Sequence, residues 1–155
     1  MEPGLDPAGR TVSDRPDRLI RDVLNPRHLM RLKPVVGTAR ARYAGQLLAT
    51  SSRALWCLEV GRDFHDPVLY FPTARVSARL APSRRTTHCP LKGETTYYHL
   101  LDESRKPIAR DIAWSYTTTY PPASSLQGRI AFDAARVTFE ITPQPGSPAT
   151  SRPPG

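Results

Sequence analysis

The chain lacks long apolar runs, has few cysteines and carries no phosphate-binding glycine motif. No stretch approaches the roughly 18 apolar residues of a membrane span, and the polar amino terminus has no secretion-signal core. Cys57 and Cys89 are too few for a disulfide scaffold or a complete zinc site. The dinucleotide-fold glycine motif and the P-loop are absent. We therefore expect a cytoplasmic protein without membrane contact or a metal site, in which both cysteines stay free thiols.

Acidic residues are fewer than basic ones: the chain has 14 Asp and Glu and 22 Lys and Arg, which gives a net charge of +8. Half of this excess falls in residues 1–42, which carry nine basic and five acidic residues. A nucleic-acid-binding domain usually concentrates positive charge on a folded face. The basic stretch from Arg75 to Lys92 also lacks an aromatic-rich RNA motif. The distribution argues against nucleic acid as a partner.

Seventeen prolines cluster at both ends and divide the chain into three parts. Residues 1–34 are expected to be a basic, largely disordered arm, in which residues 15–24 have the spacing of a short helix. Residues 35–142 are expected to form one β domain. Residues 143–155 are expected to be a disordered, proline-rich tail. The sequence leaves open whether the arm packs on the domain, and it leaves the oligomeric state open.

Short alternating segments separated by turn residues dominate the central part. ARARYAGQLLAT predicts two strands around a turn at Ala44-Gly45-Gln46. ALWCLEV, PVLYFP, ETTYYHLL and IARDIAWSY predict further strands, and RIAFD with RVTFEI predicts a closing hairpin. These seven or eight strands predict a mainly β fold, a small curved antiparallel sheet or open barrel with one or two short helical turns.

Several short motifs follow one another in a recognisable order. YFP at 70–72, PS at 82–83, TTHCPLKG at 86–93, AWSY at 113–116 and GRIAF at 128–132 resemble the family catalogued as domain of unknown function 427, also labelled nucleotidyltransferase-like. The resemblance covers about residues 38–141. It implies a β-tent fold like that of the small zinc-binding tents, although their Cys-x-x-Cys pairs are absent here. It implies no established reaction and identifies no cofactor.

The segment SRRTTHCPLKG, residues 83–93, is the densest chemical stretch and is predicted to be a pocket-lining turn entering a strand. Lys92 beside the hydroxyls of Thr86 and Thr87 is suited to hold a carboxylate or phosphate. Gly93 is expected to supply a positive φ or a close backbone approach. The alternative interpretation is a solvated turn lysine.

Two pairs of side chains are expected to share strand faces, Trp114 with Tyr116 and Tyr97 with His99. Either the faces meet and wall a cleft, or the rings pack as core. The cleft interpretation predicts a binding site for a small anionic or nucleotide-like molecule. The predicted ligand-binding residues are Arg84, Arg85, Thr86, Thr87, His88, Lys92, Gly93, Tyr97, Trp114 and Tyr116.

Two other functions remain open. Positive neighbours favour the thiolate form of Cys89, which would suit a catalytic nucleophile or redox thiol with His88 or His99 as its base. No carboxylate is positioned by sequence to orient either histidine, although Glu94 and Asp111 are available. The third hypothesis is a non-catalytic protein-interaction module that binds its partner through the arm and tail.

Overall fold

The computed structural model describes residues 19–144, and this part of the chain is mainly β. Two short 3-10 segments, Thr73–Arg75 and Pro121–Leu126, confirm the predicted helical turns. The eleven strands of the described part are β1 (Leu19–Arg21), β2 (Leu29–Pro34), β3 (Thr38–Tyr43), β4 (Gln46–Ser51), β5 (Leu55–Val60), β6 (Val68–Tyr70), β7 (Leu80–Cys89), β8 (Gly93–Leu101), β9 (Pro107–Thr119), β10 (Ile130–Phe132) and β11 (Thr138–Thr142).

The strands form three antiparallel sheets, and they do not close into a barrel. Their orders are β1-β2-β5-β6, β10-β9-β8-β7 and β11-β3-β4. Phe71 and Ile130 exchange two backbone hydrogen bonds of 2.8 and 2.9 Å, which join the first two sheets where β6 meets β10. The result is a row of eight strands with the third sheet packed against it.

Side chains alternate between the two faces along each strand, so they form two apolar clusters, one on each face of the joined sheets. Ile130 and Phe132 of β10 face the first core, whereas Ala131 between them faces the second. The third sheet covers the first core through Ala39, Ala41 and other side chains. The second core includes Met30, Leu32, Leu55, Cys57, Tyr70, Leu91, Tyr116 and Leu126.

The helix predicted at residues 15–24 is wrong where the structure describes it. Leu19–Arg21 is a strand that pairs with β2, and Ile20 is buried opposite Met30. The alternation of exposed, buried and exposed side chains has a period of two, so packing against β2 decides the conformation. Residues 15–18 lie outside the described part, as does the rest of the arm before Leu19 and the tail after residue 144.

The predicted hairpin of RIAFD and RVTFEI is also wrong. β10 pairs with β9, whereas β11 pairs with β3 in the third sheet. The DAAR connection between them turns the chain through backbone bonds from Arg136 and Val137 to the Asp133 carbonyl. Each strand therefore completes a different sheet, and this pairing has no local signature in the sequence.

Residues 83–93 are mostly strand rather than turn. β7 runs through to Cys89, and only Pro90 to Lys92 turn the chain into β8. An irregularity in the pairing between Pro82 and Thr86 shifts the register against β8. By contrast, the β3–β4 hairpin is confirmed, with Ala44 and Gly45 at φ of 48° and 83°.

The described residues contain no helix that is long and apolar enough to cross a membrane. Both cysteines are free, as the sequence predicts. The closer likeness to a β-tent stays a prediction.

Candidate functional site

A basic pocket of about 460 Å³ lies where β7, β8 and β9 lose their regular register. The pairing shift after Pro82 displaces the next three residues of β7 from the regular ladder, and the register of β8 and β9 shifts near His99. We call this site the arginine pocket. It is lined by Pro82, Ser83, Arg84, Arg85, His99, Arg110 and Asp111.

Asp111 has an unusual backbone and an unusual side chain within this pocket. Its φ is 50°, a value that non-glycine residues rarely adopt. Its amide donates to Nδ1 of His99 at 3.0 Å, so this nitrogen is an acceptor and Nε2 carries the ring proton. Its buried Oδ1 has no hydrogen-bond partner, alone among the buried side-chain atoms of residues 19–144. Backbone strain of this kind is common at binding sites.

Arg136 holds the backbone that carries Arg110 and Asp111. Its guanidinium donates to the Arg110 carbonyl at 2.8 Å and to the Asp111 carbonyl at 3.0 Å, while Nε donates to Asp133 at 2.8 Å. The pocket edge from β9 is therefore fixed by side-chain contacts in addition to the sheet ladder.

Aromatic rings continue from the arginine pocket toward the second core. The Arg85 guanidinium lies 4.3 Å from the centre of the Tyr97 ring, and Tyr97 lies 6.0 Å from Trp114. Trp114 Nε1 donates to the Tyr70 hydroxyl at 3.2 Å. Arg85, Tyr97 and Trp114 are thus brought together, whereas Tyr116 is buried in the second core and Trp114 packs against it.

Lys92 lies inside the protein and not in a solvated turn. Its side chain is 7% exposed, and its ammonium donates to Oε1 of Glu59 on β5 and lies 5.6 Å from the Tyr116 ring centre. The other oxygen of Glu59 is 2.7 Å from Nε2 of His28. We call the group of His28, Glu59, Cys89 and Lys92 the Glu59 cluster.

The charges of the Glu59 cluster are mutually stabilised. Burial would raise the pKa of Glu59, but the Lys92 charge and hydrogen bonds from His28 and Lys92 hold it below the ordinary value of 4.5. Burial disfavours the Lys92 ammonium, yet the surrounding acidic groups, Cys57 and Tyr116 foremost, raise its pKa. Glu59 and Lys92 are therefore both charged near neutral pH.

The two thiols differ in their surroundings. Cys57 is buried, and this burial raises the pKa of its thiol from 9.0 to about 11. Cys89 is half-buried and belongs to the Glu59 cluster: donor atoms of His28, Glu59 and Cys89 all fall within 4.8 Å of one another. The histidine grouped with this thiol is therefore His28, and not the predicted His88 or His99.

The other predicted residues lie on β7 and β8 away from the arginine pocket. Thr87 is bonded to Thr95 through amide and hydroxyl, and Thr86 is exposed opposite Thr96. His88 contacts Glu94, one of the two carboxylates available to it, through Nδ1 and the Tyr120 hydroxyl through Nε2. His88, Glu94 and Tyr120 border a small hollow of about 100 Å³ together with Gly93.

Arg110, Glu59 and His28 are the residues that sequence reasoning missed. One signal was present: Glu59 falls two positions after Cys57 in the apolar strand ALWCLEV, on the inward face. A carboxylate at an inward strand position requires a buried partner. Nothing local identifies Lys92 as that partner, because 33 residues separate the two.

The model of one protein family matches residues 31–142, and it is described as a domain of unknown function (DUF427). The chain belongs to this family. The match includes the whole arginine pocket and the Glu59 cluster apart from His28. No curated protein matches the chain.

Proposed function

We propose that the protein binds a small organic anion of the phosphate-ester type in the arginine pocket. One observation carries the proposal: Arg84, Arg85 and Arg110 line one open pocket in which, among the described residues, Asp111 is the single acid. Guanidinium groups match phosphate and carboxylate oxygens in paired hydrogen bonds. The pocket volume of about 460 Å³ lies within the range of small-molecule sites.

The charge for the anion comes from arginines rather than from Lys92. Lys92 is paired with Glu59 inside the protein, so its charge is already balanced. Three guanidiniums against one carboxylate give the arginine pocket an excess of positive charge. Nε2 of the His99 imidazole adds a hydrogen-bond donor, because Nδ1 accepts from the Asp111 amide.

The aromatic rings beside Arg85 favour a ligand with a flat part. A base or other planar group can stack on exposed aromatic or guanidinium faces, and Arg85 already stacks on Tyr97. A nucleotide-like anion has both a phosphate and a planar base. It therefore fits the combination of arginines and rings better than inorganic phosphate alone.

Titration calorimetry on the full chain tests this proposal with adenosine monophosphate, inorganic phosphate and adenosine. We expect adenosine monophosphate to bind most tightly and adenosine not to bind. Arg110→Ala and Arg84→Ala should each weaken binding about tenfold, since each removes a charged hydrogen-bond donor. Arg62→Ala, which changes an exposed arginine outside the pocket, is the matched control.

Thermal unfolding gives an independent measurement. A ligand at a hundred times its dissociation constant adds about 2.7 kcal/mol to the free energy of unfolding, which raises the midpoint by several degrees. The proposal fails if none of the anions stabilises the protein. It also fails if the double variant Arg84→Ala/Arg110→Ala binds as tightly as the unchanged chain.

A further inference from the structure

We propose that His28, Glu59 and Cys89 bind a divalent transition-metal ion with the ligand preference of zinc. One donor atom from each of these residues lies within 4.8 Å of the other two. The three residues come from the turn before β2, from β5 and from the end of β7, so only the folded chain assembles them. This site is separate from the arginine pocket and does not depend on the function proposed there.

The donor set and spacing suit a zinc-type ion. Imidazole nitrogen, carboxylate oxygen and thiolate sulfur are the three ligand types that zinc takes in proteins. Bond lengths of about 2.0–2.3 Å place neighbouring ligands of a tetrahedral site about 3.3–3.8 Å apart. His28 and Glu59 are already 2.7 Å apart, so ion binding requires a local adjustment and no rearrangement of strands.

Lys92 fits the site as a partner of a ligand. It is bonded to Oε1 of Glu59, whereas His28 is bonded to Oε2. An ion bound between His28 and Oε2 would replace the proton that these two atoms share, and Lys92 would continue to orient the carboxylate. Outer partners of this kind position ligands and tune their charge.

The arrangement differs from a nucleophile with a base and an orienting acid. In such a triad the imidazole stands between thiol and carboxylate, and each of its nitrogens serves one of them. Here the thiol lies within 4.8 Å of both the histidine donor and the Glu59 oxygen. This mutual proximity of three donors favours a shared ion over a linear relay from acid to base to thiol.

Among the three proposed ligands, Glu59 borders a groove of about 320 Å³. The groove is lined by Glu59, Arg31 and His65 together with apolar side chains. His65 is half exposed, and its Nδ1 is 3.7 Å from the Glu59 carboxylate. A site with three protein ligands leaves its fourth position to water or a substrate. We assign that position to the side of Glu59 that borders the groove.

Cobalt absorption on the full chain without a purification tag tests the site directly. Co²⁺ adopts zinc-type sites, and a thiolate ligand gives it a sulfur-to-metal charge-transfer band. We expect one equivalent of Co²⁺ to produce this band and Zn²⁺ to abolish it by displacement. Absence of the band, together with no heat of Zn²⁺ binding by calorimetry, would overturn the proposal.

Two cysteine variants show which thiol is the ligand. Cys89→Ala should remove the band and weaken Zn²⁺ binding by more than about tenfold, since loss of even an outer partner costs 10–100-fold. Cys57→Ala is the matched control, because it changes the other thiol and should keep both signals. The opposite result would assign the ion to another site and contradict the proposal.

His28→Gln provides a test that leaves both cysteines in place. It should lower Zn²⁺ affinity and shift the cobalt spectrum, while circular dichroism shows that the fold is intact. Unchanged affinity in this variant would exclude His28 as a ligand and overturn the site as described.

Discussion

Lys92 extends its ammonium group into the space between two sheets, where Glu59 receives it. A buried ion pair gains little over a well-packed apolar pair, because both charges lose their hydration. Stability alone therefore gives no reason for these two residues at this position. Their presence favours a role in function or in specifying the arrangement of the strands.

Glu59→Gln should lower the free energy of unfolding by about 3–5 kcal/mol, since it leaves the Lys92 ammonium buried without its counter-charge. Urea unfolding measures the loss. The double variant Glu59→Gln/Lys92→Met should lose less than the two single variants together, because neither charge is then left alone. Additive losses would show that the two side chains are not coupled.

The exposed pair of Arg42 and Glu140 is the matched comparison. Both side chains are at least 40% exposed, so water already screens their charges. Glu140→Gln should therefore change the free energy of unfolding by less than about 1 kcal/mol.

Stability should be highest between about pH 4.5 and pH 9. The lowered pKa of Glu59 contributes stability that is present above 4.5 and is lost as the pH falls through the folded-state value. The raised pKa of Cys57 acts in the opposite direction: its contribution is complete below 9.0 and is lost as the pH rises to about 11. Unfolding curves across this range check both limits.

Single variants separate the two limits. In Glu59→Gln the free energy of unfolding should fall less steeply below pH 4.5. The unchanged chain should lose on the order of 2 kcal/mol of this free energy between pH 9 and 11 through Cys57, and Cys57→Ala should not show that loss. An alkaline side that is identical with and without Cys57 would contradict the second assignment.

At the scale of strands, Gly93 determines how β8 begins beside β9. Its φ is +128°, and an added Cβ would stand 2.1 Å from the Thr118 carbonyl oxygen. Gly93→Ala should therefore lower the free energy of unfolding by about 3 kcal/mol or more, through strain and displacement of β9. Chemical denaturation checks this value.

Gly45→Asn is the control for Gly93→Ala. Gly45 also has a positive φ of +83°, but a Cβ there meets no atom within 4 Å, and asparagine tolerates such a backbone. The loss should stay below about 1 kcal/mol. A similar loss in both variants would mean that crowding at Thr118 is unimportant.

The elements that sequence predicted well are those with local causes. The β3–β4 hairpin follows from Ala44-Gly45, and the positive φ and close approach at Gly93 follow from the lack of a side chain. β1 and β11 have no such cause, because each is fixed by pairing with a strand elsewhere in the chain. A short amphipathic segment such as residues 15–24 fits more than one local structure until its partner is known.

The candidate sites were also predicted only where their residues are close together in the sequence. Arg84 and Arg85 were predicted as ligand-binding residues of the 83–93 segment, but Arg110 reaches their pocket only through the pairing of β7, β8 and β9. Glu59 and Lys92 are distant in sequence, and one sequence contains no information on their contact. The sequence therefore predicted some residues of each site, but not the complete set of residues that lines the arginine pocket or forms the Glu59 cluster.

The whole described domain should unfold as one unit. Trp56 packs against the first core and Trp114 against the second, and the joined sheets contribute side chains to both. In Trp56→Phe the remaining Trp114 reports the second core. In Trp114→Phe the remaining Trp56 reports the first core. Each variant should show coincident transitions by fluorescence and circular dichroism. Fluorescence that departs from the circular dichroism curve in either variant would show that the cores unfold separately.

The row of eight strands curls until Glu59 in β5 and Lys92 before β8 touch, although three strands and the Phe71–Ile130 junction separate them along the row. Among the described residues, side chains rather than a backbone ladder make this contact. Rupture here would return two ions to water, and their hydration would offset much of the lost attraction. The two ends of this contact are therefore fastened by side chains alone, and parting them would also expose the second core, in which Leu91 lies with Met30 and Leu55.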